Sequence, residues 1–153
     1  MINWEDWKTY LFILLPSITG YLASFFCYIG KDAGSKIPSR PPSWIFGVVW
    51  PILYIFLGLT WVILRKNSYI IDILMIINIF GLILWIIVYG CQKNKKLGLY
   101  VLLFILVIAF MIFGYAWSQN KIAAMLTTPF LVWIIFATML NYTEVNKTML
   151  YET

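Results

Sequence analysis

Charge is absent from five long stretches of this chain, and that spacing constrains the fold more than any motif. Residues 9–29, 44–64, 73–89, 97–117 and 122–142 contain no Asp, Glu, Lys or Arg. Each run is close to the ~20 residues with which a helix crosses ~30 Å of hydrocarbon. The runs are continuously apolar and do not alternate between lipid-facing and lumen-facing residues, which argues against a membrane β-barrel. The expected fold is an all-α membrane protein, a bundle of five transmembrane helices over about 9–29, 44–64, 71–89, 97–117 and 122–142. Bulk composition agrees. Of the 153 residues 63% are hydrophobic and 11% charged, against about a quarter charged in an ordinary soluble domain. No internal repeat or low-complexity tract divides the chain, so residues 1–153 are expected to form one membrane domain.

The net charge of +5 does not point to nucleic acid, because the basic residues lie between the apolar spans, where lipid headgroups are the default partner. An odd number of spans puts the two termini on opposite sides of the bilayer. Lys8, Arg65, Lys66 and Lys121 fall on the N-terminal side. Lys31, Lys36, Arg40, Lys93, Lys95, Lys96 and Lys147 fall on the other. Seven against four predicts a cytoplasmic C-terminus by the positive-inside rule. Trp4, Trp7, Tyr28, Trp44, Tyr89, Trp117 and Tyr142 sit near span ends and suit the interfacial aromatic belt. Trp4-Glu5-Asp6-Trp7 precedes the first span in place of a basic segment, so no cleavable signal is expected.

The residue inventory excludes several chemistries. The chain has no His, which removes the commonest general base and the commonest haem and transition-metal ligand. Cys27 and Cys91 have no metal-ligand spacing and no disulfide framework is indicated, so the expectation is two buried thiols behaving as small hydrophobes. No metal site is expected. No ionisable group lies deep in a span, as an ion-coupled transporter normally needs.

What remains is backbone punctuation, one deep amide and aromatic surface. Pro16, Pro51 and Pro129 lie in helices 1, 2 and 5, where each frees a carbonyl and kinks its helix. The kinks either tune packing or leave room inside the bundle. Asn78 lies well inside helix 3 and acts either as interhelical glue or as part of a cavity wall. The first loop, 30–43, carries three prolines and is expected to be a stiff cover over one end of the bundle. It leads into Phe46, Val49, Trp50 and Leu53, at i, i+3, i+4 and i+7 on one helix face. Helix 5 repeats the pattern with Trp133, Phe136, Ala137, Leu140 and Asn141. Such stripes are usually packing. Two of them beside a stiff loop point to a large, flat, apolar ligand.

These residues resemble the translocator protein (TspO) family, the tryptophan-rich sensory proteins or peripheral-type benzodiazepine receptors. Leu15-Pro16-Ser17-Ile18-Thr19-Gly20 looks like its first-helix signature, and Pro41-Pro42-x-Trp44 with Trp50-x-x-Leu53-Tyr54 its second. Leu126-x-x-Pro129-Phe130-Leu131-x-Trp133-x-x-Phe136-Ala137-Thr138-x-Leu140-Asn141-Tyr142 looks like the fifth, and Asn78 matches the third-helix Asn. The resemblance implies a five-helix bundle, often a homodimer. It lies in the mitochondrial outer membrane in eukaryotes and in the cell envelope in bacteria. It implies binding and trafficking of tetrapyrroles such as protoporphyrin IX and haem, or of sterols, with no cofactor required. Carried over by position, the ligand site would comprise Ser24, Cys27, Phe46, Val49, Trp50, Asn78, Trp133, Ala137 and Leu140. Tyr142 and Lys147 would complete a loose sterol-contact pattern. Two other readings stand beside binding. One is light-dependent porphyrin breakdown, with Trp50 and Trp133 as the catalytic pair. The other is a structural or regulatory subunit with a vestigial pocket. The chain departs from the family pattern at Gly81 and Leu99, where tryptophans are common, at Ser39-Arg40 before the double proline, and at Pro51, which follows Trp50 where members often carry a proline two residues before it.

Overall fold

The structure is a computed structural model that describes residues 2, 4–27, 29, 37–38, 40–66 and 68–151, the last four by backbone alone. Five helices follow in order, with no strand among the described residues: α1 Trp7–Phe26, α2 Ser43–Leu64, α3 Ile70–Ile86, α4 Lys95–Gln119 and α5 Lys121–Tyr151. A π-helical turn, Ile87–Cys91, prolongs α3. All five are long and apolar enough to cross a membrane. Side chains such as Phe25, Phe26, Phe80 and Met125 stand exposed around the bundle. In water that belt would drive aggregation; in a bilayer it is the lipid-facing surface. The molecule is therefore a multi-pass integral membrane protein.

Local signals explain where the helices begin. The Asp6 side chain accepts from the Lys8 amide at 3.0 Å and caps α1. Asn94 caps α4 through the Leu97 amide at 3.0 Å, and Asn120 caps α5 through the Ala123 amide at 3.1 Å. Between α3 and α4 the chain turns through Lys93, held at φ 52°, in the left-handed region that disfavours a side chain. The largest difference from the charge-based bounds is α5, expected to end near 142 and continuing to Tyr151. Tyr142 is followed by Thr, Glu, Val, Asn and Lys, which leave the hydrocarbon without breaking the helix.

Helix packing divides the bundle into two unlike ends. At the end holding the 64–70 and 119–121 connections, Leu57, Trp61, Leu64, Ile71, Met75, Ile112, Ala116, Ala123, Ala124 and Phe130 are buried in one dry cluster. The alanines let backbones approach closely, the usual device where lipid gives helices no hydrophobic drive to associate. Gly58 takes this furthest. A Cβ there would collide with the backbone of Ile13, so α1 and α2 touch main chain to main chain. The Trp61 indole donates to Asp72, Arg65 Nε lies 3.6 Å from the same carboxylate, and the Arg65 guanidinium covers the Phe12 ring at 3.4 Å. Thr127 donates to the Ala123 carbonyl at 2.8 Å, and its oxygen lies 3.2 Å from the Thr60 hydroxyl.

The other end is fastened covalently. Cys27, just past α1, and Cys91, closing the π turn, form a disulfide. This corrects the expectation of two independent buried thiols. The cysteines lie 64 positions apart, and only the fold brings the two helix ends together. Gly90 assists, since a Cβ on it would lie 2.8 Å from the Cys27 carbonyl oxygen.

Candidate functional site

A cavity of about 560 Å³ opens at the disulfide-bearing end, within the size range of small-molecule sites. Its walls come from α1, α2, α3 with its π turn, and α5, together with Ile29, Ile37 and Arg40 from the first loop; α4 contributes no lining residue among those described. The expected stiff cover over 30–43 falls largely on residues outside the described set. Of that stretch, Ile37 is buried, its carbonyl accepts from the Arg40 amide at 3.1 Å, and Arg40 reaches the cavity.

The second helix enters this space with its aromatic face. Phe46 and Trp50, one turn apart, line the wall, as do Gly47 and Pro51. Pro51 has no N–H to give the Gly47 carbonyl one turn earlier, so an acceptor is left over in a wall that has no side chain to cover it. Around Trp50 the rings form a connected set. Trp85 lies 6.2 Å away, Tyr54 5.5 Å and Trp133 6.4 Å edge-on, and Trp85 stacks on Tyr89 at 5.1 Å and 19°. Tyr54 sits over Gly20, where any Cβ would strike its ring.

The residues expected from the sequence divide as follows. Ser24, Phe46, Trp50, Ala137 and Leu140 line the cavity. Trp133 stands just behind the surface, its ring 5.6 Å from Phe46, with its indole N–H buried and unpaired. Val49 is half-buried against the core. Cys27 lies outside the wall and is taken up by the disulfide. Asn78 is wholly buried among core residues, outside the wall, with neither amide atom hydrogen-bonded. It therefore shows neither a cavity-facing side chain nor an interhelical hydrogen bond. Leu140 faces the cavity, whereas Tyr142, two residues on, is exposed to the outside and Lys147 lies on the extension of α5. The sterol-contact pattern is thus split between faces of one helix.

Several wall residues lie outside the ligand set expected from the sequence, where Tyr89 suits the interfacial belt and Asn141 stands only as part of the α5 stripe. Trp85 and Tyr89 are an i, i+4 aromatic pair on α3, and that spacing was the available signal. Gly81, where a tryptophan would be usual, faces α4; a Cβ there would lie 2.9 Å from Ile105. The indole on this helix is supplied one turn later by Trp85. Glu144 was hidden because α5 was expected to end before it. It is 6% exposed. Its Oε2 accepts from the Tyr89 hydroxyl at 2.6 Å, and its Oε1 lies 2.8 Å from Lys95 Nζ, fastening α3, α4 and α5 at the mouth. Asn141 lines the cavity with both amide atoms unpaired. No group of three metal-ligating side chains occurs among the described residues.

Comparison with known proteins agrees with this architecture. A profile of the TspO/MBR family matches residues 12–145. The Tryptophan-rich protein TspO of Archaeoglobus fulgidus is 30% identical over 138 residues, covering 85% of this chain and 90% of that protein. The matched region takes in α1 from its sixth residue, all of α2, α3 and α4, and α5 through Val145, so every wall of the cavity lies inside it. The chain belongs to the TspO/MBR family.

Proposed function

We propose that this protein binds a large, flat, mostly apolar ligand of the tetrapyrrole class in the cavity and passes it on within the membrane. The observation that carries the reading is the aromatic wall: Phe46, Trp50, Tyr54, Trp85 and Tyr89 surround a single space of about 560 Å³. Aromatic faces offer stacking and dispersion to a planar ring system. The absence of His removes imidazole as an axial ligand, so recognition rests on the ring body more than on a coordinated metal. A bundle with a vestigial pocket would have filled this space with side chains, as the opposite end does.

The test is a titration of the detergent-solubilised protein with protoporphyrin IX, read by tryptophan fluorescence. Saturable quenching is expected, and Trp50→Leu should weaken it about tenfold, the order of one lost aromatic stacking partner. Quenching no greater than that of an unrelated multi-pass protein would remove the proposal.

A further inference from the structure

We propose that the cavity selects a ligand bearing an acid group, and that Arg40 is the residue that recognises the acid. This deepens the tetrapyrrole reading and rests on it. Among the described residues, two charged side chains line the cavity, Arg40 and Glu144. Glu144 is already matched, by the Tyr89 hydroxyl at 2.6 Å and by Lys95 at 2.8 Å. Arg40 has no carboxylate partner among the described residues. Its guanidinium instead stands 5.6 Å from the centroid of the Phe46 ring, which is itself cavity wall. Among the described residues, Arg40 is the charged wall residue that no carboxylate matches.

The uncharged polar groups point the same way. The Trp85 indole N–H and the Asn141 amide are both wall residues with no hydrogen-bond partner. Trp85 brings a donor and Asn141 both a donor and an acceptor, while the carboxylate at this end is already occupied. A guanidinium offers a planar fork of N–H groups that fits a carboxylate or phosphate with two parallel hydrogen bonds. A ligand whose ring lies against Phe46, Trp50 and Trp85 and whose acid reaches the mouth would match both halves of the cavity. A neutral sterol would match the apolar half and leave the cation uncompensated. A lipid phosphate shares the acid's chemistry, so the experiment has to separate the two sources.

The experiment compares protoporphyrin IX, a dicarboxylic acid, with its dimethyl ester, which keeps the ring and removes the charge. Both are titrated into the whole protein in non-ionic detergent, with and without added phosphatidylglycerol. The diacid should bind about tenfold tighter than the diester, as expected for a charge-assisted hydrogen bond at a half-exposed site. Arg40→Gln should bring the two within about twofold, with the loss falling mainly on the diacid. Equal affinities in the unmodified protein, or a preference that survives Arg40→Gln, would overturn the proposal. So would a preference abolished by phosphatidylglycerol, which would assign the cation to lipid. If neither porphyrin binds, the tetrapyrrole reading itself has failed, a result distinct from all of these.

Discussion

Gly47 and Gly58 lie about three turns apart on α2 and meet opposite surroundings. A side chain at Gly58 would run into the backbone of Ile13, whereas one at Gly47 would meet nothing within 4 Å. The same residue type serves contact at one end and vacancy at the other. The whole bundle repeats that contrast. The end around Trp61 is dry, small-residue packing fastened by Asp72. The end around Trp50 holds the cavity and is fastened at its rim by a disulfide and by Glu144. Substitutions at the open end can therefore reshape the cavity without disturbing the packing that holds the other end together.

The two glycines give the sharpest way to break this comparison. Gly58→Leu should cost more than about 4 kcal/mol, because backbone cannot retreat as a side chain can. Thermal denaturation in detergent should show little folded protein. Gly47→Leu should leave thermal stability within about 1 kcal/mol, since it enters open space, yet reduce porphyrin affinity by at least about tenfold. Equal stability losses in the two variants would dissolve the distinction between the ends.

Next in size is the disulfide. Cys27→Ser with Cys91→Ser releases a loop of 64 residues, for which the chain-entropy estimate is about 4 kcal/mol. Membrane insertion already restricts the unlinked chain, so the measured loss should fall below that. Hydrogen exchange should speed up in the last turns of α1 and α3 while the residues around Trp61 stay protected. Asp72→Asn probes the opposite end. It weakens the Trp61 hydrogen bond and removes the ion pair to Arg65, both part-exposed, and should cost about 1–2 kcal/mol with porphyrin binding unchanged. Smallest is Lys93→Gly in the α3–α4 turn. It relieves a left-handed backbone and should raise stability by up to about 1 kcal/mol, read as a rise in the melting midpoint.

Charge spacing made the helix count readable in advance, because lipid tolerates so few alternatives. The stripes of α2 and α5 were readable for a similar reason: apolar periodicity survives wherever a helix has an inside. Trp85 and Tyr89 were harder to see, since their neighbours on α3 are apolar on every side and no face stands out. Glu144 lay beyond the charge boundary that marked the span, so the rule that found the helix also cut it short. The cysteine pairing could not be read from sequence, because 64 positions separate two residues that only the folded bundle joins. Orientation is contested by two signals at one end. The excess of Lys and Arg on the C-terminal side predicts a cytoplasmic C-terminus, whereas disulfides persist in oxidising compartments. Labelling intact cells with an impermeant maleimide, before and after reduction, decides between them. Labelling that requires reduction and comes from outside would reverse the charge assignment.

The Cys27–Cys91 bond also closes the chain into a covalent ring that contains α2 and α3 and leaves α1 attached at one point on its rim. The end of α1 cannot swing away from the end of α3 while that bond is intact. Tyr89 and Glu144 hold the adjoining side. Any widening of the cavity at this end then falls to the seams that α2 makes with α1 and with α5, where the walls include residues as slight as Ser24, Gly47 and Ala137. A bifunctional thiol reagent joining Ser24→Cys to Gly47→Cys should slow porphyrin exchange if the α1–α2 seam opens, whereas an unchanged rate would assign the opening to the α2–α5 seam. One bond thus acts as a door's fixed jamb: it holds the α1–α3 edge of the cavity in place, so that any movement is left to the other edges.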